Sequence, residues 1–188
     1  MNVMLDIIGS VLVIGILTLT IATMNAGLST QTYKANNTMQ LQFEAIQLAR
    51  IMEFDVYKAG YKVSQSKRIL TADSTSLKFL ANLFDTEKDT NTVQYILSST
   101  GEVYTKSPEY KKLVRKIGSD TLTINRNIRS LKFQYYTGSD VKLSTPVTGA
   151  WLDSIKSIKI DMTLESFNPL DSTFIAAVYS KWIYPRNL

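Results

Sequence analysis

The 188-residue chain contains no cysteine and no histidine. Without cysteine there is no disulfide framework, which leaves the redox compartment open. Without histidine, the commonest general base and the commonest metal ligand are both missing. Serine and threonine are plentiful, but none has an evident activator, so no enzyme is expected and no cofactor is assigned. Basic residues are also missing from the beginning of the chain, where the first is Lys34. A cleavable secretory signal opens on Lys or Arg, and a single span carries them at its cytoplasmic end. The reading is therefore either that a short basic leader has been removed ahead of Met1 or that insertion follows unusual rules.

From Ile7 to Met24, eighteen residues pass without an ionisable side chain, and a lone carboxylate, Asp6, stands at the start of that run. A bilayer is crossed by about 17–25 mostly apolar helical residues, so residues 1–30 read as a membrane-spanning half-helix. Residues 31–188 read as one domain of ordinary size, helical to about residue 59 and β-rich over 75–188. All 21 basic residues fall from Lys34 onward, giving that domain a scattered charge of +6. There is no basic stripe with interleaved aromatics, and no specific nucleic acid partner is expected.

Thr32 to Tyr57 contains neither proline nor glycine. Leu41, Ala45, Leu48, Met52 and Val56 follow at spacings of four, three, four and four, one face of an α-helix suited to packing on a sheet. Gln40, Gln47, Arg50 and Glu53 fall on the opposite face. Gly60 reads as the C-cap, with Lys58 in the last turn, so the helix should end near Ala59. Gly15 to Gly27, with its β-branched residues and Asn25, is the stretch of lowest intrinsic helicity. The segments 76–84, 93–98, 102–105, 112–117, 128–136, 155–164 and 174–183 read as strands. In the sixth, Ile158, Ile160, Met162 and Leu164 share one face, as in a sheet covered on one side only. Short connections at Ser99–Gly101 and Gly138–Asp140 favour antiparallel pairing. The fold class is α+β: a long N-terminal helix, apolar then amphipathic, packed on an antiparallel sheet.

Other patterns point to little chemistry. Asp85 to Asn91 spaces oxygen ligands as a calcium loop does, but lacks the glycine at its sixth place and the glutamate at its twelfth, and reads as a solvated hairpin loop. Asp153, Asp161 and Glu165 do not form an acid–base pair if their strand ends at Leu164, and the metal and catalytic assignments are none. Some of the ten tyrosines read as residues bridging core and water, the alternative being an exposed cluster that serves subunit contacts or adhesion.

An apolar N-terminal helix with an acid near its start, an amphipathic continuation and then an antiparallel sheet resembles the type IV pilins and the pseudopilins of type II secretion. Phe54 to Tyr61 (FDVYKAGY) is similar to the helix ending of the larger minor subunits of that family. Val93 to Leu97 and Ile128 to Tyr136 resemble two of their strands, and Ile155 to Leu164 and Pro185 to Asn187 also look familial. The family's fifth mature residue is usually glutamate; here the acid is Asp6, fifth only if Asn2 becomes the N-terminus.

A carboxylate at the edge of hydrocarbon is tolerated best when paired. In a bundle of parallel helices the nearest cation to Asp6 is the α-amino group of a neighbouring chain, and such a pair would set axial register. The plainer reading is an acid favoured by the helix dipole among lipid headgroups. Asp6, Ile7, Ile8, Val11, Leu12, Ile14, Gly15 and Leu19 are the expected subunit interface. Gly9, Ser10 and Gly15 permit close approach, although the small-xxx-small spacing is not met. The functional expectation is a structural subunit of a pilus-like or pseudopilus filament, in the shaft or at the tip. It would be stored in the inner membrane as a single-pass protein and later found in a periplasmic or extracellular fibre of identical or homologous subunits. The resemblance implies an assembly platform and an ATPase as further partners. The alternative is a monomeric, membrane-anchored binding module, an adhesin or sensor.

Overall fold

In the computed structural model, which describes residues 3–85, 90–98, 110–168 and 173–188, helix α1 runs unbroken from Val3 to Tyr57. Its 55 residues span about 80 Å at 1.5 Å per residue. The stretch of low propensity does not interrupt it. Thr18, Thr20 and Thr23 turn their hydroxyls back onto the carbonyls of Ile14, Ile16 and Thr20 at 2.8 Å, so these polar groups are satisfied within the helix.

The sheet has eight antiparallel strands: β1 (Ile69–Ala72), β2 (Ser76–Ala81), β3 (Asn91–Ser98), β4 (Lys111–Ile117), β5 (Asp120–Tyr136), β6 (Lys142–Leu143), β7 (Ser157–Asn168) and β8 (Thr173–Ile183). The order is β1-β2-β3-β4-β5-β7-β8, with β6 beside β5, and a 3-10 helix, Gly149–Ser154, precedes β7. This is the α+β arrangement of one long helix on an antiparallel sheet. Two strands, β1 and β6, and the first half of β5 extend beyond the sequence expectation. The 120–127 stretch is mostly polar, and its residues 120–123 are exposed, so it carries no apolar run to announce it. The expected strand at 102–105 and the loop at 99–101 lie outside the described residues.

The core lies between the inner sheet face and one side of α1. Leu77, Phe79, Val93, Tyr95, Leu113, Phe133, Tyr135, Ile158, Ile160, Met162 and Leu164 are buried there, joined by Leu41, Ala45, Leu48, Met52 and Val56 from the helix. The helix rides mainly on β8 and β7. The sheet curls around its end, because Asp55 meets β3 and β4 while Glu53, on another side, meets β8.

The helix stops at Tyr57, two residues before the expected Ala59. Lys58 therefore lies just past the last turn and donates to the Leu83 carbonyl at 2.8 Å. Gly60 follows with φ +77°, and its N–H donates to Leu80. A Cβ there would come within 2.5 Å of the Asn187 carbonyl oxygen, so glycine serves both the left-handed backbone and the approach of the C-terminal tail.

Candidate functional site

The N-terminal half of α1 stands clear of the domain. From residue 6 to residue 29 every helical position is exposed, and a Cβ added at Gly9, Gly15 or Gly27 would touch nothing. Ile7, Ile8, Val11, Leu12, Ile14 and Leu19 are each more than half exposed, and Asp6 lies in the first turn. This helix is long and apolar enough to cross a membrane. An exposed apolar surface of this extent marks a site of lipid or protein contact.

The second half is gripped from three sides. Beneath it, the stripe from Leu41 to Val56 fills the core. On one flank Asp55, fully buried, accepts a bidentate pair from Arg115 on β4, both bonds 2.7 Å, and a hydrogen bond from the Tyr95 hydroxyl on β3. Burial, reinforced by the Asp55 charge, pushes the Tyr95 hydroxyl well above the usual phenol range. On the other flank Glu53 accepts from Lys181 at 2.8 Å and from the Tyr179 hydroxyl, both on β8. Burial alone would raise the Glu53 carboxyl, but the bonds from Lys181 and Tyr179 outweigh it and hold the group below its ordinary value.

The face of this half turned away from the core is not simply polar. Gln40, Gln47 and Arg50 are exposed as expected, yet Met39, Phe43, Ile46, Phe54 and Tyr57 are exposed with them. These five recur at spacings of four, three, eight and three, a second stripe roughly opposite the first. The signal is present in the sequence, masked by the polar residues set between its members. Where this stripe meets the end of β8, a groove of about 460 Å³ opens between Arg50, Glu53, Phe54 and Tyr57 on the helix and Lys181 to Tyr184 on the strand.

The remaining motif residues are not brought into one site. Because β7 continues to Asn168, Asp161 and Glu165 share its outward face, a correction to the reading that ended the strand at Leu164. They remain separately engaged, Asp161 by Gln134, Ser180 and Lys159, and Glu165 by Arg129 at 4.0 Å. Asp153 sits apart on the 3-10 helix. Of the calcium-like loop, residues 86–89 lie outside the described residues, and Asp85 is paired with Lys62 at 2.6 Å. Among the described residues no cluster of acids suits a metal ion. Tyr95 and Tyr135 are wholly buried, whereas Tyr136, Trp182 and Tyr184 line up on the outer sheet face. Comparison with protein-family models and with curated proteins gives no match.

Proposed function

We infer that this chain is the structural subunit of a pilus-like or pseudopilus filament, held in the inner membrane by the first half of α1 and later packed through that half against other subunits. The observation that carries the reading is the length of the apolar surface. A membrane anchor needs only about 20 residues. Here, beyond a mostly polar interval at residues 29–38, exposed apolar side chains resume at Met39, Phe43 and Ile46, on a helix whose other side is locked to the sheet. A lipid anchor has no use for that second apolar patch, and a neighbouring helix does.

In such an assembly the arm exchanges lipid for neighbouring arms, so little apolar burial is gained and shape matching selects the partner. Asp6, paired with the amino terminus of the next chain, sets the axial register. A head-to-tail contact of this kind does not close on itself and therefore propagates. The resemblance to pilins supplies the remaining parts: a platform and an ATPase to drive extraction, and a place for this subunit in the shaft or at the tip.

The test is electron microscopy and immunodetection of material sheared from cells expressing the full chain. Ordered fibres containing the protein are expected. Asp6→Ala and Phe43→Glu should each abolish fibres while leaving the protein in the membrane fraction. Protein that remains a membrane-bound monomer and never enters sheared material overturns the reading in favour of an anchored binding module.

A further inference from the structure

The chain treats the two edges of its sheet differently. β1 is four residues long, its register breaks between Ile69 and Thr71, and Val147 bridges its outer side by donating to the Ala72 carbonyl at 2.8 Å. Shortness, irregularity and cover are the ordinary means of blunting an edge. β8 has none of them. It is eleven residues long, pairs with β7 without a register break, and contains no proline and a single lysine. Among the described residues, Phe174 to Ile183 have no backbone partner on their outer side. Phe174, Val178 and Trp182 are exposed along the strand, and the groove against Phe54 and Tyr57 opens beside its last residues.

We propose that the β8 edge and this groove receive an extended, acidic and apolar segment of a different protein, which adds to the sheet as one more strand. Backbone hydrogen bonds to β8 supply the affinity of such a contact, and the groove selects the side chains. Its charge identifies the chemistry. Arg50 is exposed and, among the described residues, has no hydrogen-bonded carboxylate, while Arg186 stacks over the Tyr57 ring at 5.7 Å. Among the described residues, the one acid lining the groove, Glu53, is already taken by Lys181 and Tyr179. An incoming segment therefore meets a net positive charge, Arg50 and Lys181 against Glu53, and apolar surface at Phe54, Tyr57 and Trp182.

A second copy of this chain fits the edge poorly. Glu53 meets Tyr179 and Lys181, and Tyr57 meets Arg186, so β8 runs in the same sense as α1. Antiparallel pairing of two β8 strands about a two-fold axis sends the two arms in opposite directions, which one bilayer or one polar fibre does not allow. Pairing of β8 with β1 of another copy is obstructed by Val147. This exclusion rests on the filament reading, in which all arms point one way.

The test uses the full chain in lipid nanodiscs and a fluorescein-labelled ten-residue peptide alternating valine and glutamate, followed by anisotropy. Saturable binding is expected. The same peptide with its backbone amides N-methylated should bind at least tenfold more weakly, because it cannot donate to β8. Arg50→Glu should weaken the glutamate peptide at least tenfold and favour one alternating valine and lysine. Absence of saturation, equal binding of the N-methylated peptide, or a homodimer cross-linked through β8 overturns the proposal. Peptide binding that fails while sheared fibres persist sinks this inference alone; fibres that fail while the peptide binds sink the filament reading alone.

Discussion

The two halves of α1 share one backbone geometry and differ in everything around it. In the first half, apolar side chains encircle the helix and stay exposed; in the second, half of them vanish into a core and the rest remain outside. Helicity is therefore no guide to role. An all-round apolar helix must find its surroundings elsewhere, in lipid or in other helices, whereas a striped one is held by its own domain. The junction falls near residues 37–41, where burial begins.

Substitutions in the two halves should separate accordingly, as read by denaturant unfolding of the domain in nanodiscs. Arg115→Ala leaves Asp55 buried without its guanidinium, and a loss of about 3–5 kcal/mol is expected. Met52→Ala, at a wholly buried position, should cost about 3 kcal/mol, within the range for such cavities. Its counterpart in the arm, Leu12→Ala, should leave domain stability within about 0.5 kcal/mol. A large domain effect from Leu12 would break the division between the halves.

The end of the helix gives a smaller effect. Gly60→Ala forces a left-handed residue with a side chain against Asn187, and about 1–2 kcal/mol is expected from the backbone alone. The smallest concerns Glu53. Because its folded carboxyl lies below the ordinary value of 4.5, its bonds to Lys181 and Tyr179 stabilise the fold above that pH, and the gain fades as pH falls through the folded value. Glu53→Gln should lower Tm at pH 7 by an amount equivalent to about 1 kcal/mol or less. The gap to the unsubstituted chain should then close as the pH drops below 4.5. A gap that stays constant down to pH 3 would show that charge plays no part in holding α1 on β8.

What could be read from residues alone follows from how local each signal is. The spacing of Leu41 to Val56 and the alternation in Ile158 to Leu164 are carried within a few turns or pairs, and the structure buries both sets. The span from Ile7 to Met24 needs only composition. The Asp55–Arg115–Tyr95 cluster joins residues 60 and 40 positions apart, and nothing in the neighbouring sequence marks them as partners. β1 is too short to establish a period, and residues 120–127 become a strand because β4 offers a partner rather than through apolar character. Within the candidate site, the arm was legible as an exposed apolar surface, but the second stripe and the groove were not. Arg50 and Glu53 interrupt the stripe in sequence, and the groove needs β8 brought beside α1.

Because the chain has no cysteine, one introduced thiol reports on one position. Leu19→Cys places it in the middle of the arm, and oxidative cross-linking of sheared extracellular material followed by denaturing electrophoresis asks directly whether arms meet. Disulfide-linked dimers in the fibre fraction, absent from a matched variant with the thiol on the exposed turn at Ser139, are the expected result. A Leu19→Cys chain found only as an uncross-linked monomer in the membrane fraction would contradict the claim that the arm is an assembly surface.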